Sequence, residues 1–179
     1  NKKIDNKFAT SNYFRSFPIF GISAETPFQL KNFKNGLTYT PKIKLVISPS
    51  ISNSNKISNE DSSINSYTIE NNSNLNRYSG TDKLDNSKRI DLSLNIKNNI
   101  LNGTFSTAYE FTNNSNYHYS QGNERKLSDF LGELNLTKEK FGTSYNFRFD
   151  PHNNYMKSQN ANFSYKDNFG DYNISYLDQ

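Results

Sequence analysis

The sequence predicts an all-β protein, an antiparallel transmembrane β-barrel of about eight sequential hairpin strands, which could close alone as a small barrel or form a fragment, an arc of a larger one. Three observations carry that expectation. Apolar residues recur with period two in segment after segment, and helical periodicity is nearly absent. Most of these segments run ~9–11 residues, the length a tilted strand needs to cross a bilayer. The connections alternate between tight polar turns and long polar loops, as they do in outer-membrane barrels.

The strands follow in order. Phe20, Ile22 and Ala24 alternate with Gly21, Ser23 and Glu25. Leu37, Tyr39, Pro41, Ile43, Leu45 and Ile47 alternate with Thr38, Thr40, Lys42, Lys44 and Val46. Ile90, Leu92, Leu94 and Ile96 oppose Arg89, Asp91, Ser93 and Asn95. Leu101, Gly103, Phe105, Thr107, Tyr109 and Phe111 oppose Asn102, Thr104, Ser106, Ala108 and Glu110. Phe130, Gly132, Leu134 and Leu136 then face away from Leu131, Glu133 and Asn135. Phe141, Thr143, Tyr145, Phe147 and Phe149 face away from Gly142, Ser144, Asn146, Arg148 and Asp150. The last two rows are Ala161, Phe163, Tyr165 and Tyr172, Ile174, Tyr176. A strand puts each pair of sets on opposite faces. Tyr39, Ile43, Leu45, Leu92, Leu94, Phe105, Phe147 and Phe163 are therefore expected on one face. Lys42, Lys44, Asp91, Ser106, Asn146 and Arg148 are expected on the other.

Lys97-Asn98-Asn99, Lys138-Glu139-Lys140 and Lys166-Asp167-Asn168 read as tight turns. The links 48–86 and 112–126 read as long loops. The link from Pro151 to Asn154 is short yet falls on the long-loop side. The whole chain, 1–179, reads as one partial barrel domain with a long loop at about 49–86.

Composition sharpens the choice between a barrel and a soluble sheet. Only 32% of the 179 residues are hydrophobic, while aromatics reach 15%, which separates the chain from aromatic-poor disordered segments. A soluble β-sandwich also alternates. Here, however, the non-apolar face carries charges and amides at mid-strand, and aromatics crowd strand ends, as a wet lumen and interfacial girdles require. In lipid every backbone polar group must be paired, so such strands belong to a closed sheet. No apolar run approaches the ~20 residues of a spanning helix. The first ten residues lack the apolar core of a signal peptide, so a mature chain or internal segment is expected.

Net charge is +4, with Lys and Arg scattered among nearly as many acids, so no nucleic-acid partner is expected. The absence of cysteine removes disulfides, thiol nucleophiles and Cys-ligated metals. His118 and His152 fall in loops without ligands at metal spacing. Glu60 and Asp61 read as solvated loop acids. There is no nucleophile elbow and no phosphate-binding glycine loop. The chain is therefore expected to be no enzyme, with no catalytic, cofactor or metal residues.

Four segments, in order, resemble one family. Asn59-Glu60-Asp61-Ser62 resembles its "NEDS". Asn74-Leu75-Asn76-Arg77-Tyr78-Ser79-Gly80-Thr81-Asp82-Lys83 resembles "NLF-x-x-NRFSG-x-DR". The run from Lys126 to Leu134 resembles "RSDYVGRL", and Ser144 to Asp150 resembles "SYRFRLD". These are segments of the LPS-assembly protein LptD, or organic solvent tolerance, family. Tyr78 stands for Phe, Lys83 for Arg, and Asn146 where Arg is frequent.

The resemblance implies the middle part of a C-terminal barrel in the outer membrane of a Gram-negative bacterium. The implied function is delivery of lipopolysaccharide to the outer leaflet, in support of outer-membrane assembly. Implied partners are lipopolysaccharide, outer-membrane lipid, an LptE-like lipoprotein plug, and the rest of the barrel with its jellyroll. The alternatives are a general porin and a soluble β-rich adhesin or surface-binding module.

The residues singled out as family-signature loop and lumen positions are Asn76, Arg77, Tyr78, Ser79, Gly80, Asp82, Arg148 and Asp150. For Arg77 and Asp82, an exposed loop ion pair worth at most ~1 kcal/mol competes with a role pinning the loop into the lumen. Gly80 is expected at positive φ. Arg148 and Asp150 read as a lumen charge ladder bonded to its neighbours, or as contacts to lipopolysaccharide phosphates.

Overall fold

The computed structural model describes residues 16–30, 36–49, 51, 62, 67–112 and 126–178. Nine strands among the described residues form one antiparallel sheet. They are β1 (Phe20–Glu25), β2 (Phe28–Leu30), β3 (Leu37–Ile47), β4 (Lys88–Lys97), β5 (Leu101–Glu110), β6 (Phe130–Lys138), β7 (Phe141–Asp150), β8 (Tyr155–Lys166) and β9 (Asp171–Asp178). The order is β1-β3-β4-β5-β6-β7-β8-β9, with β2 also on β3. From β3 onward each strand pairs with the next in sequence, as the hairpin pattern predicts. The sole helix among the described residues is α1 (Ile69–Asn72), a single turn inside the long loop.

The register decides the facing. Directly opposed residues in an antiparallel pair share a face. One rung runs Pro41, Leu94, Phe105, Gly132, Phe147. The next apolar rung runs Tyr39, Ile96, Gly103, Leu134, Tyr145, Ala161, Tyr176. The intervening polar rung runs Thr40, Asn95, Thr104, Glu133, Asn146, Asn160. Another polar rung joins Lys42, Ser93, Ser106, Leu131, Arg148 and Ser158. All the residues expected on each face lie there together. The apolar face stays largely uncovered, with Ile22, Ile43, Leu92, Leu136, Phe163 and Ile174 among its exposed side chains.

Two features depart from the sequence expectation. The strand count is nine because β1 and β2 lie end to end on β3, interrupted at Thr26 and Pro27. Proline has no N–H for the ladder, and the three-residue β2 is too short for an alternation to register. β8 also begins earlier than the row Ala161, Phe163, Tyr165 suggests. Its register shifts between Arg148 and Phe149 of β7: Met156 opposes Phe149, Ser158 opposes Arg148, and Lys157 is the extra residue. A bulge of this kind breaks period two and hides the strand's first half.

The tight turns fall at 98–100, at Glu139–Lys140 and at 167–170. Asn98 Oδ1 accepts from the N–H groups of Ile100 and Leu101, and Asp167 Oδ1 from those of Phe169 and Gly170. Side chains thus satisfy backbone donors that a short turn would leave open. The short link at Pro151–Asn154 is present as expected, with Asn154 at φ 54. Among the described residues β1 and β9 are not paired with each other, so the sheet is open.

Candidate functional site: a loop seated on the polar face

The long loop does not stay outside the sheet. Its stretch 67–87 folds back over the polar face of β3 to β7. Thr68 caps α1, its Oγ1 accepting from Asn71 N–H at 3.2 Å. α1 then packs over β5 and β6. Tyr67 and Tyr78 form a small apolar cluster with Leu131 of β6, joined by Ile69. The wall is prepared for this. Val46, Ala108 and Leu131 are apolar residues on the polar face, and all three are buried. They break the alternation, and Leu131 does so where Tyr67 and Tyr78 pack on it. Leu75 reaches β1 at Gly21, where an added Cβ would fall 2.4 Å from a Leu75 methyl.

Charges make up most of the remaining contact. Arg77 is 1% exposed. Its Nε donates to Asp85 Oδ2 at 2.5 Å, and its Nη2 to Glu110 Oε1 at 2.5 Å. Ser87 Oγ donates to the same Glu110 carboxylate at 2.8 Å. Arg89 Nη1 meets Asp85 Oδ2 at 2.9 Å, and its Nε meets Asp91 Oδ1 at 2.7 Å. Lys44 pairs with Asp91 at 3.2 Å and also donates to the Ser73 carbonyl. Arg89 Nη2 donates to the Asn74 carbonyl at 2.5 Å.

Three cations, Lys44, Arg77 and Arg89, thus balance three carboxylates, Asp85, Asp91 and Glu110. Loop and wall contribute to the same network, so neither half can leave without stranding a buried charge.

The signature residues shape this loop. Asn76 Nδ2 donates to the Gly80 and Lys83 carbonyls, and its Oδ1 accepts from Asp85 N–H at 2.9 Å. One amide therefore closes the turn that delivers Asp85 to Arg77. Gly80 sits at φ 79, the left-handed conformation expected of it. Ser79 and Asp82 are half-buried in the same segment. Lys83 N–H donates to Ser62 Oγ at 2.9 Å, tying the turn to the buried Ser62 of the upstream signature.

A second cluster lies across β6, β7 and β8. Arg148 Nε donates to Asp129 Oδ2 at 2.5 Å, and its guanidinium lies 5.5 Å from the Tyr67 ring centre. Lys157, the bulged residue, pairs with Asp129 at 3.0 Å and with Asp150 at 3.1 Å. The bulge re-aims this lysine between two strand-end acids. The Tyr67 hydroxyl lies 2.8 Å from Asn72 Oδ1 and 2.7 Å from Ser128 Oγ. Ser128 in turn accepts from Ala108 N–H at 2.7 Å. Arg148 and Asp150 are thus bonded to neighbours on their own wall.

The chain matches the family model described as "LptD: LPS transport system D" over residues 1–179. The chain belongs to the LptD family. LptD proteins are components of lipopolysaccharide transport at the outer membrane, and the open antiparallel sheet fits their β-barrel. No curated protein matches the chain.

Within this LptD chain the sequence singled out Arg77, Tyr78 and Gly80 but missed Asp85, Arg89, Glu110 and Lys157. The carboxylates set against Arg77 in this network are Asp85 and Glu110. His152 takes a local role, its Nε2 2.8 Å from the Leu127 carbonyl oxygen. Glu60, Asp61 and His118 lie outside the described residues.

Proposed function

We propose that this chain is an arc of the wall of a lipopolysaccharide-export barrel in the outer membrane, and that its long loop is an inward-seated plug. The observation that carries the reading is the fully buried Arg77 network, which joins the loop to the polar face while the opposite face stays apolar and uncovered. A soluble adhesin would leave that broad apolar face in water, far beyond the patch a soluble monomer tolerates. A lipid-facing wall has the opposite requirement. A general porin needs an open lumen, whereas here the loop covers the polar face from β3 to β7.

In this reading the apolar face meets outer-membrane lipid. The two edge strands pair with the rest of the barrel, and the uncovered part of the polar face lines the route of the glycolipid or meets an LptE-like lipoprotein. Asn76, Arg77, Tyr78, Ser79, Gly80 and Asp82 set the plug's shape. Arg148 and Asp150 brace the wall beneath it.

Deleting Leu75 to Thr81 in the full-length protein tests the reading. Uptake of a large glycopeptide antibiotic should rise and lipopolysaccharide delivery to the cell surface should fall. A normal barrier with normal delivery contradicts it.

A further inference from the structure

The apolar face of the sheet is not even. A groove of about 750 Å³ crosses it from the junction of β1 and β2 to β7. Small side chains open it, Ala24 and Thr107 on one rung and Pro41 on the next. Gly132, on the rung of Pro41, has no side chain, and Phe147 leans over it, so that an added Cβ would fall 2.1 Å from the ring. Phe28, stacked on Tyr39 at 5.1 Å, lines one end, and Phe147, 6.4 Å from Phe105, lines the other. At the first end Thr26 N–H donates to the Pro41 carbonyl at 3.3 Å. Proline has no N–H to return that bond, and β1 and β2 separate there. Ile43, Leu92 and Phe130 line the groove and are exposed, so an occupant reaches them from outside the sheet.

The dimensions restrict the occupant. Six neighbouring strands about 4.8 Å apart span about 24 Å. Barrel strands tilt about 35–45°, so a groove running across them lies about 45–55° from the bilayer normal. Over its length it descends about 14–17 Å, close to half of the ~30 Å hydrocarbon core, which is the depth of one leaflet. The volume spread over that length gives a section about 5–6 Å on a side, room for one chain at the ~4 Å contact distance of carbon atoms. Between this groove and the polar face, β3 to β7 are paired strand to strand. A lipid whose sugars occupy the polar face cannot place a chain here.

We propose that this groove is a fixed lipid seat, in which one acyl chain of a resident outer-membrane phospholipid lies across the outside of the wall. The proposal rests on the reading above that the apolar face meets lipid, and it adds a lipid that is held rather than exported.

The test uses the full-length protein in phosphatidylethanolamine vesicles that carry a trace of the same lipid with a photoreactive diazirine in one acyl chain. Adducts should be about tenfold denser at Leu94 and Phe105 than at Phe163 and Ile174, which share the face but lie outside the groove. Leu92→Trp and Ala24→Phe, which fill the groove from exposed positions, should lower the Phe105 adducts about tenfold and leave those at Phe163 unchanged. Ile174→Phe, which adds bulk elsewhere on the face, should change neither. Folding of each variant is read from its heat-dependent shift in gel migration. If a filling variant fails to fold, the unaltered protein decides, because equal adduct density over the whole face overturns the seat while leaving the lipid-facing reading intact. Loss of the groove adducts on adding equimolar intact lipopolysaccharide overturns the assignment to a phospholipid. Absence of adducts anywhere on the apolar face contradicts both the seat and the reading beneath it.

Discussion

Arg77 has the environment of a core residue although it lies in a polar loop. It pairs with Glu110 and with Asp85, which Arg89 also holds. Removing one partner of a buried pair typically costs 3–5 kcal/mol, because the charge left behind stays desolvated. Arg77→Ala in the full-length protein should therefore lower the temperature at which the folded, heat-shiftable band is lost. Glu110→Gln should cost less, since Ser87 Oγ and Arg77 can still bond to an amide oxygen. A change within about 0.5 kcal/mol for Arg77→Ala, the scale of a surface substitution, contradicts the buried network. Part of this was legible in the sequence. Arg77, Tyr78 and Gly80 stand in the segment that most resembles the family, and Gly80 has the φ that a glycine in a turn suggests. Glu110 was not legible as a partner, because it lies 33 residues away at the end of a strand. Period two says which face a residue occupies, but not which loop will return to cover it.

At the scale of the strands, the fold is most legible in the sequence where the alternation is unbroken. β3 to β7 have the facing that their rows predict. Backbone chemistry interrupts the period at Pro27 and at the Lys157 bulge, and there the pattern does not give the strand bounds. Val46, Ala108 and Leu131 are apolar and buried on the polar face, and Leu131 packs against Tyr67 and Tyr78 of the loop. The chain has no cysteine, so single-cysteine variants report one position each. In the full-length protein in membranes, Asn146→Cys should react with a membrane-impermeant charged thiol reagent that can enter the lumen. Phe147→Cys, one residue on and on the other face, should resist it and react instead with a lipid-soluble maleimide. Equal labelling of both by the charged reagent would show that the face carrying Phe147 is in water.

The whole molecule combines one lipid-compatible face, one polar face and a loop that covers part of the second. The loop's contact with the wall is mainly ionic, with an apolar cluster of only Tyr67, Tyr78, Leu131 and Ile69 among the described residues. Such a seat is specific in register, yet it buries little apolar surface, and buried ion pairs contribute little net stability against their desolvation cost. Beside it, a hollow of about 420 Å³ lies along β6, β7 and β8, with Glu133, Asn146 and Asn160 on its polar wall. The moving glycan is placed in that hollow, at the edge of the loop, where Tyr67 to Glu70 line its other side. The most direct measurement is photocrosslinking in living cells, with a photoreactive residue in place of Asn146 or Asn160 in the full-length protein. The account predicts that both positions capture lipopolysaccharide while export is running, and that capture stops when lipopolysaccharide supply is shut off. Cells that export normally while neither position ever captures it would contradict the account.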